Sequence, residues 1–374
     1  MTDLPTPVGS PSRTGEPALV ASPPVSPSPR PRPAGGGLVA VAVLVTVRGE
    51  PVERLVRLVR ALADQRDVAP FEIVVAALPD EAAALALDPV WDDLLPTGAV
   101  ARLRFVPNPS GARSPGLNAA AAAAHADLVV RVDARSCPGP DHVARSVARL
   151  LADPDVGVVG GVQRPVAVQD DLGARAVARA LGNPWALGGA AYRRGIAGPA
   201  DTVYLGAYRR RELLALGGFD EHLDANEDFD LCRRYRAGGA VVWLEDGLVI
   251  DYEARTTVGA VWQQYEAFGR AKVRFWRRTG ERPGARQVAP LVVAAVGAAA
   301  LAATAGRPRR LAALAAAGVA ALAAVDRAGA APARDTREQL ATMAVYPVVV
   351  GAWVWGVAAE AVRPQATEGD PAVR

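Results

Sequence analysis

Short apolar runs alternate with stretches of helical periodicity in the first third of the chain. Residues 52–62 repeat apolar side chains at helical spacing, and an alanine-rich helix is predicted over residues 117–126. This alternation predicts an α/β fold with a doubly wound, mostly parallel sheet, whose ligand lies at the carboxyl ends of the strands. The predicted strands are residues 41–46, 71–77, 101–106 and 127–132, with a later strand pair at 240–244 and 248–252.

Three apolar segments follow residue 287. Residues 288–305 carry no charge, residues 311–325 are short and alanine-rich, and residues 340–362 are interrupted only by Glu360. A helix needs about 20 apolar residues to cross the hydrocarbon core of a bilayer. The third segment is therefore predicted to be the best membrane span, and its tryptophans suit the interface.

Basic residues lie on both sides of the first apolar segment. The arginines within residues 277–286 favour a cytoplasmic location for the preceding domain, yet Arg307, Arg309 and Arg310 in the next loop favour the same side. A re-entrant or interfacial pair of helices followed by one true span reconciles the two signals. We therefore expect a cell-membrane protein with a cytoplasmic folded domain.

The N-terminal region has a different composition from the rest. Residues 1–36 are rich in Pro, Ser and Gly and are predicted to be disordered. Residues 38–47 resemble the apolar region of a signal peptide, but Arg48-Gly49-Glu50 follows instead of a small-residue cleavage site. A buried first strand is the better interpretation.

Length and charge narrow the class of protein. The chain has 374 residues, 51% of them hydrophobic, and a formal net charge of +3. This is enough for a globular domain of about 250 residues and a sizeable remainder. So weak a charge does not indicate a nucleic-acid surface, whereas arginines suit diphosphates and membrane surfaces. Cys137 and Cys232 are too few for a metal site or a disulfide framework and are predicted to be core residues.

Charged side chains follow two of the predicted strands. Strand one ends in Arg48-Gly49-Glu50, and strand four runs into Asp133 and Arg135. A carboxylate at such an edge can bind a ribose hydroxyl or a divalent ion on a diphosphate. Between them, residues 108–118 form either an ordinary turn or a phosphate-binding loop that leads into a helix.

A second acidic stretch lies between two glycine pairs, at residues 217–218 and 238–239. Glu227 and Asp228 begin a predicted helix, where backbone amides favour an anion. Asp224 or Asn226 can cap that helix, and Asp224 has capping-box spacing to Glu227. Acids in a first turn are also ordinary helix-start residues, so the pattern alone leaves two interpretations open.

Seven short motifs together resemble one family. In order they are residues 116–118 (GLN), 130–134 (VRVDA), 158–161 (VVGG), 201–210 (DTVYLGAYRR), 217–221 (GGFDE), 226–228 (NED) and 264–270 (QYEAFGR). Over about residues 38–285 the chain resembles the succinoglycan-type branch of family 2 glycosyltransferases. The resemblance implies a GT-A fold, a nucleotide-sugar donor such as a UDP-sugar, Mg²⁺ or Mn²⁺, inversion at the anomeric carbon, and a lipid-linked or polysaccharide acceptor.

The resemblance also implies roles for individual residues. Asp228, the second acid of its pair, would be the catalytic base beside Glu227. Asp133 would bind the metal. The implied donor-binding residues are Arg48, Glu50, Asn118, Asp133 and Arg135, and the implied acceptor-binding residues are Asp220, Gln264 and Arg270.

A division of the chain follows from this assignment. Residues 37–160 would form the donor-binding half of the GT-A domain and residues 161–287 its acceptor-binding half. Residues 1–36 would be the tail, and residues 288–374 the membrane-associated helices with a short end.

Two positions depart from the family pattern. Strand two ends in residues 75–80 (VAALPD), with no acid before Asp80, where the family usually has acids for the base and the ribose. The metal motif reads Asp133-Ala134-Arg135, and arginine cannot ligate a metal, although its fork can grip a diphosphate. These departures favour, as an alternative, a degenerate relative that binds or scaffolds without catalysis. A sugar-nucleotide pyrophosphorylase lacks support because strand one has no glycine-rich phosphate loop, and a transporter would need more apolar segments.

Overall fold

The computed structural model describes residues 40–94, 98–186, 189–223 and 225–363. The predicted disordered tail and Asp224, one of the two predicted caps, lie outside these residues. Nine strands of the described chain form one sheet. They are β1 (Val41–Thr46), β2 (Phe71–Ala77), β3 (Val100–Pro107), β4 (Leu128–Arg131), β5 (Ser136–Pro138), β6 (Val156–Val166), β7 (Gly198–Pro199), β8 (Tyr204–Arg209) and β9 (Val241–Glu253).

Helices flank the sheet and extend beyond it at the C-terminal end. In the described residues they are α1 (Val52–Ala63), α2 (Pro79–Ala86), α3 (Val90–Leu94), α4 (Arg113–Ala123), α5 (His142–Ala152), α6 (Leu172–Gly182), α7 (Ala191–Arg194), α8 (Arg210–Ala215), α9 (Glu227–Ala237), α10 (Val258–Thr279), α11 (Ala285–Ala303), α12 (Pro308–Gly329) and α13 (Thr336–Ala361).

The sheet is mixed, with the strand order β3-β2-β1-β4-β8-β6-β9-β5 and β7 beside β9. β1 to β4 are mutually parallel, as the alternating pattern predicts. β8 then runs antiparallel to both β4 and β6. The start of β8 therefore lies beside the carboxyl end of β4, and this edge carries the site.

The predicted strand pair at 240–244 and 248–252 is wrong, because one strand, β9, covers both segments. The Glu245-Asp246-Gly247 sequence reads as a turn, yet it stays extended. β9 pairs with β6 on both sides of a register shift near Gly160, so the irregularity is absorbed within the ladder.

Two apolar layers enclose the sheet. One contains the buried face of α1, including Leu55, Leu58 and Leu62, and the other contains α4 and α9. Cys232 is fully buried in the second layer, which confirms its predicted core position. Cys137 is exposed, so that half of the prediction is wrong.

The C-terminal helices differ in how they pack. By length and composition α11, α12 and α13 could each cross a membrane. In the most apolar stretch of α11 no residue is buried, and in that of α12 6% of the residues are buried. In the corresponding stretch of α13 the buried share is 44%. α13 packs along α10, where Gly269 and Gly356 let the two backbones approach closely. The segment predicted to be the best span is thus the one that the folded domain covers most.

Ion pairs hold α13 at both ends. Near its start, Glu338 faces Arg175 of α6 at 3.6 Å. Near its end, Glu360 lies 3.7 Å from Arg270 and 3.5 Å from Arg274, both on α10. These ion pairs add to the apolar packing of Met343, Val345 and Val349, which holds the helix against the domain.

Candidate active site

A cavity of about 370 Å³ opens where β4, β8 and the start of α9 meet. One side is polar, the other consists of apolar residues from α11 and α13. The residues that border it include Arg113, Arg131, Asp133, Thr202, Tyr204, Asn226, Glu227, Asp228, Tyr252, Gln264, Lys272, Arg286, Pro290, Val349, Val350 and Trp353.

Four charged groups form the polar wall. Arg131, at the end of β4, donates to Asp133 through two bonds of 2.9 and 3.3 Å and to Glu227 at 3.0 Å. Arg113 donates to the same Glu227 oxygen at 3.3 Å. The side chains of Arg131 and Glu227 are only 5% and 2% exposed. Two arginines therefore balance two carboxylates, with Arg131 and Glu227 buried and Arg113 and Asp133 partly exposed.

This network sets the protonation of its members. Burial alone would lower the pKa of Arg131, but the charges of Asp133, Glu227 and Asp228 raise it well above its usual value. Burial would raise the pKa of Asp133, but Arg131 and Arg113 bring it below the usual value. Asp133 therefore stays an anion, and it faces the cavity.

Asp228 lies beside this wall. Asn226 precedes the helix in the left-handed conformation, with φ 69°, which asparagine tolerates better than most residues. Its side chain makes no capping bond to the helix, so the predicted Asn226 side-chain cap is wrong. Asp228 Oδ1 instead accepts from the amide of Phe229 at 2.7 Å.

The pKa of Asp228 is raised, which differs from the effect expected from a helix N-terminus. Desolvation raises it most and the charge of Glu227 adds to this, while Arg131, the Phe229 amide and Arg113 partly oppose them. A raised pKa makes a carboxylate a stronger proton acceptor. Asp228 is thus suited to general-base chemistry.

Lys272 of α10 borders the opposite wall, and the motif-based assignment missed it. Its ammonium group lies 3.2 Å from Asn226 Oδ1 and over the rings of Phe229 and Phe275. Burial lowers its pKa to about 8, although the charge of Asp228 acts in the other direction. Sequence spacing could not link it to the Asn226 motif, which lies 46 positions earlier in the chain.

Gln264 is the predicted acceptor residue that borders the cavity. It donates to the hydroxyl of Tyr252 at 2.9 Å. Tyr252 in turn packs edge-on against Tyr204. These side chains form an aromatic and amide surface, which is suited to sugar rings and hydroxyls. Its acceptor role remains a prediction.

The other predicted acceptor residues are engaged elsewhere. Asp220 accepts from Arg278 at 2.6 Å, and its carboxylate also caps the following turn through the His222 amide. Arg270 pairs with Glu266 at 2.7 Å and joins α10 to Glu360 of α13. Neither side chain is among those that border the cavity, and their acceptor roles stay predictions.

Of the five predicted donor residues, only Asp133 borders the cavity. Glu50 pairs with Arg54 and lies 3.5 Å from Arg135, while Arg48 lies close by, against the turn at Gly111. Burial, and then the like charge of Arg255, lowers the pKa of Arg135. These residues surround the ends of β1 and β4 outside the cavity.

Asn118 has a structural task. Its amide donates to the carbonyl of Phe219 and to Glu221, both at 2.9 Å, and its oxygen accepts from the Phe219 amide at 2.8 Å. These bonds hold the turn at Gly217 and Gly218, whose φ values are positive. All its polar atoms are engaged, which does not fit the predicted donor contact.

Asp133 is the candidate ligand for a divalent metal ion. Among the described residues no group of three or more His, Cys, Asp or Glu side chains could hold an ion. Asp133 does fit a single ligand, because it is anionic, faces the cavity and keeps lone pairs beyond its bonds to Arg131. Arg135 offers no lone pair to a metal.

Comparison with known proteins shows the family of this chain. Residues 39–268 match the family model described as "Glycosyltransferase like family 2". The chain is 30% identical over 202 residues to the succinoglycan biosynthesis protein ExoA of Rhizobium meliloti (strain 1021). That match covers 53% of this chain and 60% of ExoA.

Among solved structures, the fold is similar to that of the mannosyltransferase PcManGT from Pyrobaculum calidifontis, which was determined with GDP-Man and Mn²⁺. The TM-score is 0.54 at 20% identity, over 86% of this chain and 88% of the other. This likeness concerns the fold, and it confirms the GT-A class expected from the sequence.

Proposed function

The chain belongs to glycosyltransferase-like family 2 and is a glycosyltransferase, and from this premise we propose that it moves a sugar from a nucleotide sugar to a lipid-linked saccharide. The observation that carries the proposal is one cavity with two kinds of wall. The paired Arg131 network lies beside Asp228, and apolar residues of α11 and α13 border the same space. Such a cavity suits a substrate with both polar and lipid parts.

The proposed reaction is one displacement with inversion. The acceptor hydroxyl oxygen forms a bond to the anomeric carbon while the bond from that carbon to the nucleoside diphosphate breaks. Asp228 takes the hydroxyl proton as the new bond forms, which its raised pKa favours. The departing diphosphate carries away the bonding electron pair.

Arg131 and Glu227 support this step without changing covalently. Arg131 is held by Asp133 and Glu227, so its fixed charge needs little reorganisation as negative charge develops on the leaving group. Asp133 would hold Mg²⁺ or Mn²⁺ through one carboxylate, and such an ion would neutralise charge on the diphosphate.

The sequence similarity to a succinoglycan biosynthesis protein supports a role in making a surface polysaccharide. Because the match covers only 60% of that relative, the particular acceptor and linkage are not carried over. We propose that α11 and α12, which the domain leaves exposed, attach the enzyme to the cytoplasmic face of the cell membrane, while α13 mainly braces the domain. The chain should then stay with membranes after an alkaline wash, and recovery in the soluble fraction would contradict the attachment.

A donor screen tests the reaction. Full-length protein is incubated with single nucleotide sugars and a membrane extract, and mass spectrometry follows sugar transfer to lipid. We expect one donor to give a product that requires Asp228. If no nucleotide sugar is consumed, the binding or scaffold alternative is supported instead.

The metal assignment needs a separate test. Isothermal titration of GDP and UDP into wild-type protein and Asp133→Ala is run with Mn²⁺ and again with chelator. Metal should strengthen nucleotide binding in wild-type protein and have little effect in the variant. An equal metal effect in both proteins would exclude Asp133 as the ligand.

A further inference from the structure

Lys272 is the only lysine in the chain. The remaining 41 of the 42 basic side chains are arginines. The lysine ammonium group carries a compact, strongly hydrated charge, whereas the arginine guanidinium group is planar and its charge is delocalised. A single lysine in such a chain therefore marks a position with its own chemical requirement.

The surroundings of Lys272 leave its charge unbalanced. The residue is 7% exposed, and within the described ranges no carboxylate lies within the 4.0 Å of an ion pair. Its polar contact is the neutral amide oxygen of Asn226 at 3.2 Å. The rings of Phe229 and Phe275 offset part of the cost of burying this cation, and an anion supplied by a ligand would lower that cost further.

Lys272 is separate from the donor wall, the polar wall formed by Arg113, Arg131, Asp133 and Glu227. The charges that act on Asp133 most strongly are Arg131 and Arg113. Those that act on Lys272 most strongly are Asp228, Glu281, Arg286 and Asp201. The contacts of Lys272 are with Asn226, Phe229 and Phe275 rather than with the four side chains of the donor wall, so it lies apart from that wall.

The cavity wall next to Lys272 is apolar. Arg286, in the first turn of α11, borders the cavity and is held by Asp201 at 2.7 Å. Beyond it the wall consists of Pro290 from α11 and of Val349, Val350 and Trp353 from α13. A lysine ammonium group beside an apolar wall is complementary to a lipid phosphate, which has an anionic head and a hydrocarbon chain.

We propose that Lys272, assisted by Arg286, binds the phosphate or diphosphate of a lipid-linked acceptor, whose hydrocarbon chain leaves between α11 and α13. The inference rests on the proposed function and deepens it, because it assigns the acceptor's phosphate to a site distinct from the donor's. The acceptor sugar attached to that phosphate would then reach Asp228.

Chemical protection of Lys272 tests the site directly. Full-length protein in dodecyl maltoside, which contains no phosphate, is treated with trace acetic anhydride, and mass spectrometry follows acylation of Lys272 against a reference peptide. The probes are farnesyl diphosphate, inorganic pyrophosphate, farnesol and UDP with Mg²⁺. Farnesyl diphosphate should slow acylation about tenfold, pyrophosphate should do so only at higher concentration, and farnesol and UDP should have little effect.

The other outcomes overturn the proposal in distinct ways. Equal protection by UDP would place Lys272 in the donor site. Equal protection by pyrophosphate and farnesyl diphosphate would leave a free-phosphate site and exclude the lipid channel. Absence of protection by every anion would exclude a phosphate site at Lys272.

Variants supply a second readout. Lys272→Met should weaken binding of radiolabelled farnesyl diphosphate about 10- to 100-fold, the usual effect of losing a hydrogen bond to a charged group. Arg277→Met, on the exposed side of α10, serves as the matched control and should bind normally. Unchanged binding by Lys272→Met would overturn the site. Because binding is measured without turnover, a failed donor screen with intact farnesyl diphosphate binding would refute the transferase proposal and keep the lipid-phosphate site.

Discussion

The two walls of the cavity handle buried charge in opposite ways. On the donor wall, Arg131 and Arg113 are matched by Asp133 and Glu227 through hydrogen bonds of 2.9 to 3.3 Å. The acceptor wall consists of Lys272 and the apolar residues of α11 and α13 that border the cavity, and there Lys272 has no ion-pair partner within the described residues. The donor wall can therefore keep its shape without a ligand, whereas the acceptor wall carries a cost that an anion relieves. Asp228 lies between the two, so it is influenced by both.

Asp228→Asn would remove the proposed catalytic base, which lies between the two walls. The change keeps the shape but removes the proton acceptor, so turnover should fall about 100- to 10,000-fold. Nucleotide affinity, measured by titration, should stay near the wild-type value because the donor wall is intact. Asp246→Asn, at an exposed carboxylate, is the control. Near-normal turnover by Asp228→Asn would refute its role as base.

Arg131→Met would break the balance of the donor wall. Asp133 and Glu227 would then be buried with one compensating arginine fewer, and the free energy of unfolding should fall by about 3–5 kcal/mol. Urea unfolding measures the loss. Arg164→Met, which removes the partner of Asp251 at an exposed position, should cost less than about 1 kcal/mol. A similar small loss in both variants would show that the buried network does not stabilise the fold.

Lys272→Met should raise the free energy of unfolding, whereas Arg131→Met should lower it. The folded pKa is about 8 against an ordinary 10.5, so the buried charge costs roughly 3 kcal/mol, which its removal would return as stability. The gain should be complete below pH 8 and disappear as pH rises towards 10.5, where the unfolded lysine also loses its proton. Thermal unfolding at pH 7 and pH 10 measures it, with Lys272→Arg as a control that keeps the charge. A destabilised Lys272→Met at pH 7 would mean that the lysine is structural.

These contrasts explain what the sequence could and could not predict. β1 and β2 match the predicted residues 41–46 and 71–77 because an uninterrupted apolar run between polar residues has few other uses. β9 was divided in two because Glu245-Asp246-Gly247 has the local chemistry of a turn, whereas β9 pairs with β6 both before and after these residues and remains one strand. The pairing of β9 with β6 therefore outweighed the local preference of this segment for a turn.

α13 illustrates another limit. A helix that is apolar on most sides suits either a bilayer or the interior of a protein, and composition does not separate the two. The separating features are Glu338 and Glu360, whose partners Arg175, Arg270 and Arg274 lie far away in the chain. The partner of a charge is a tertiary property, so the sequence prediction could not use it.

In the site, too, some residues could be identified from the sequence and others only from tertiary contacts. Asp133 and Asp228 could be found from short motifs, but Arg131 and Lys272 obtain their importance from contacts between distant segments. Two sequence signals were nevertheless available. Arg131 interrupts an apolar strand, and Lys272 is the chain's single lysine.

The pH dependence of transfer compares the two walls in one measurement. At low pH activity should fall as Asp228 is protonated, and this limb should lie above the usual aspartate range because burial and Glu227 raise its pKa against Arg131 and Arg113. At high pH the apparent affinity for lipid acceptor should fall up to tenfold per unit above about pH 8, as Lys272 loses its proton among Asp228, Glu281, Arg286 and Asp201. Lys272→Arg should abolish the alkaline limb and leave the acid limb in place, because arginine stays charged. An alkaline limb that persists in Lys272→Arg would assign it to another group, and the acceptor wall would then lose its distinguishing charge.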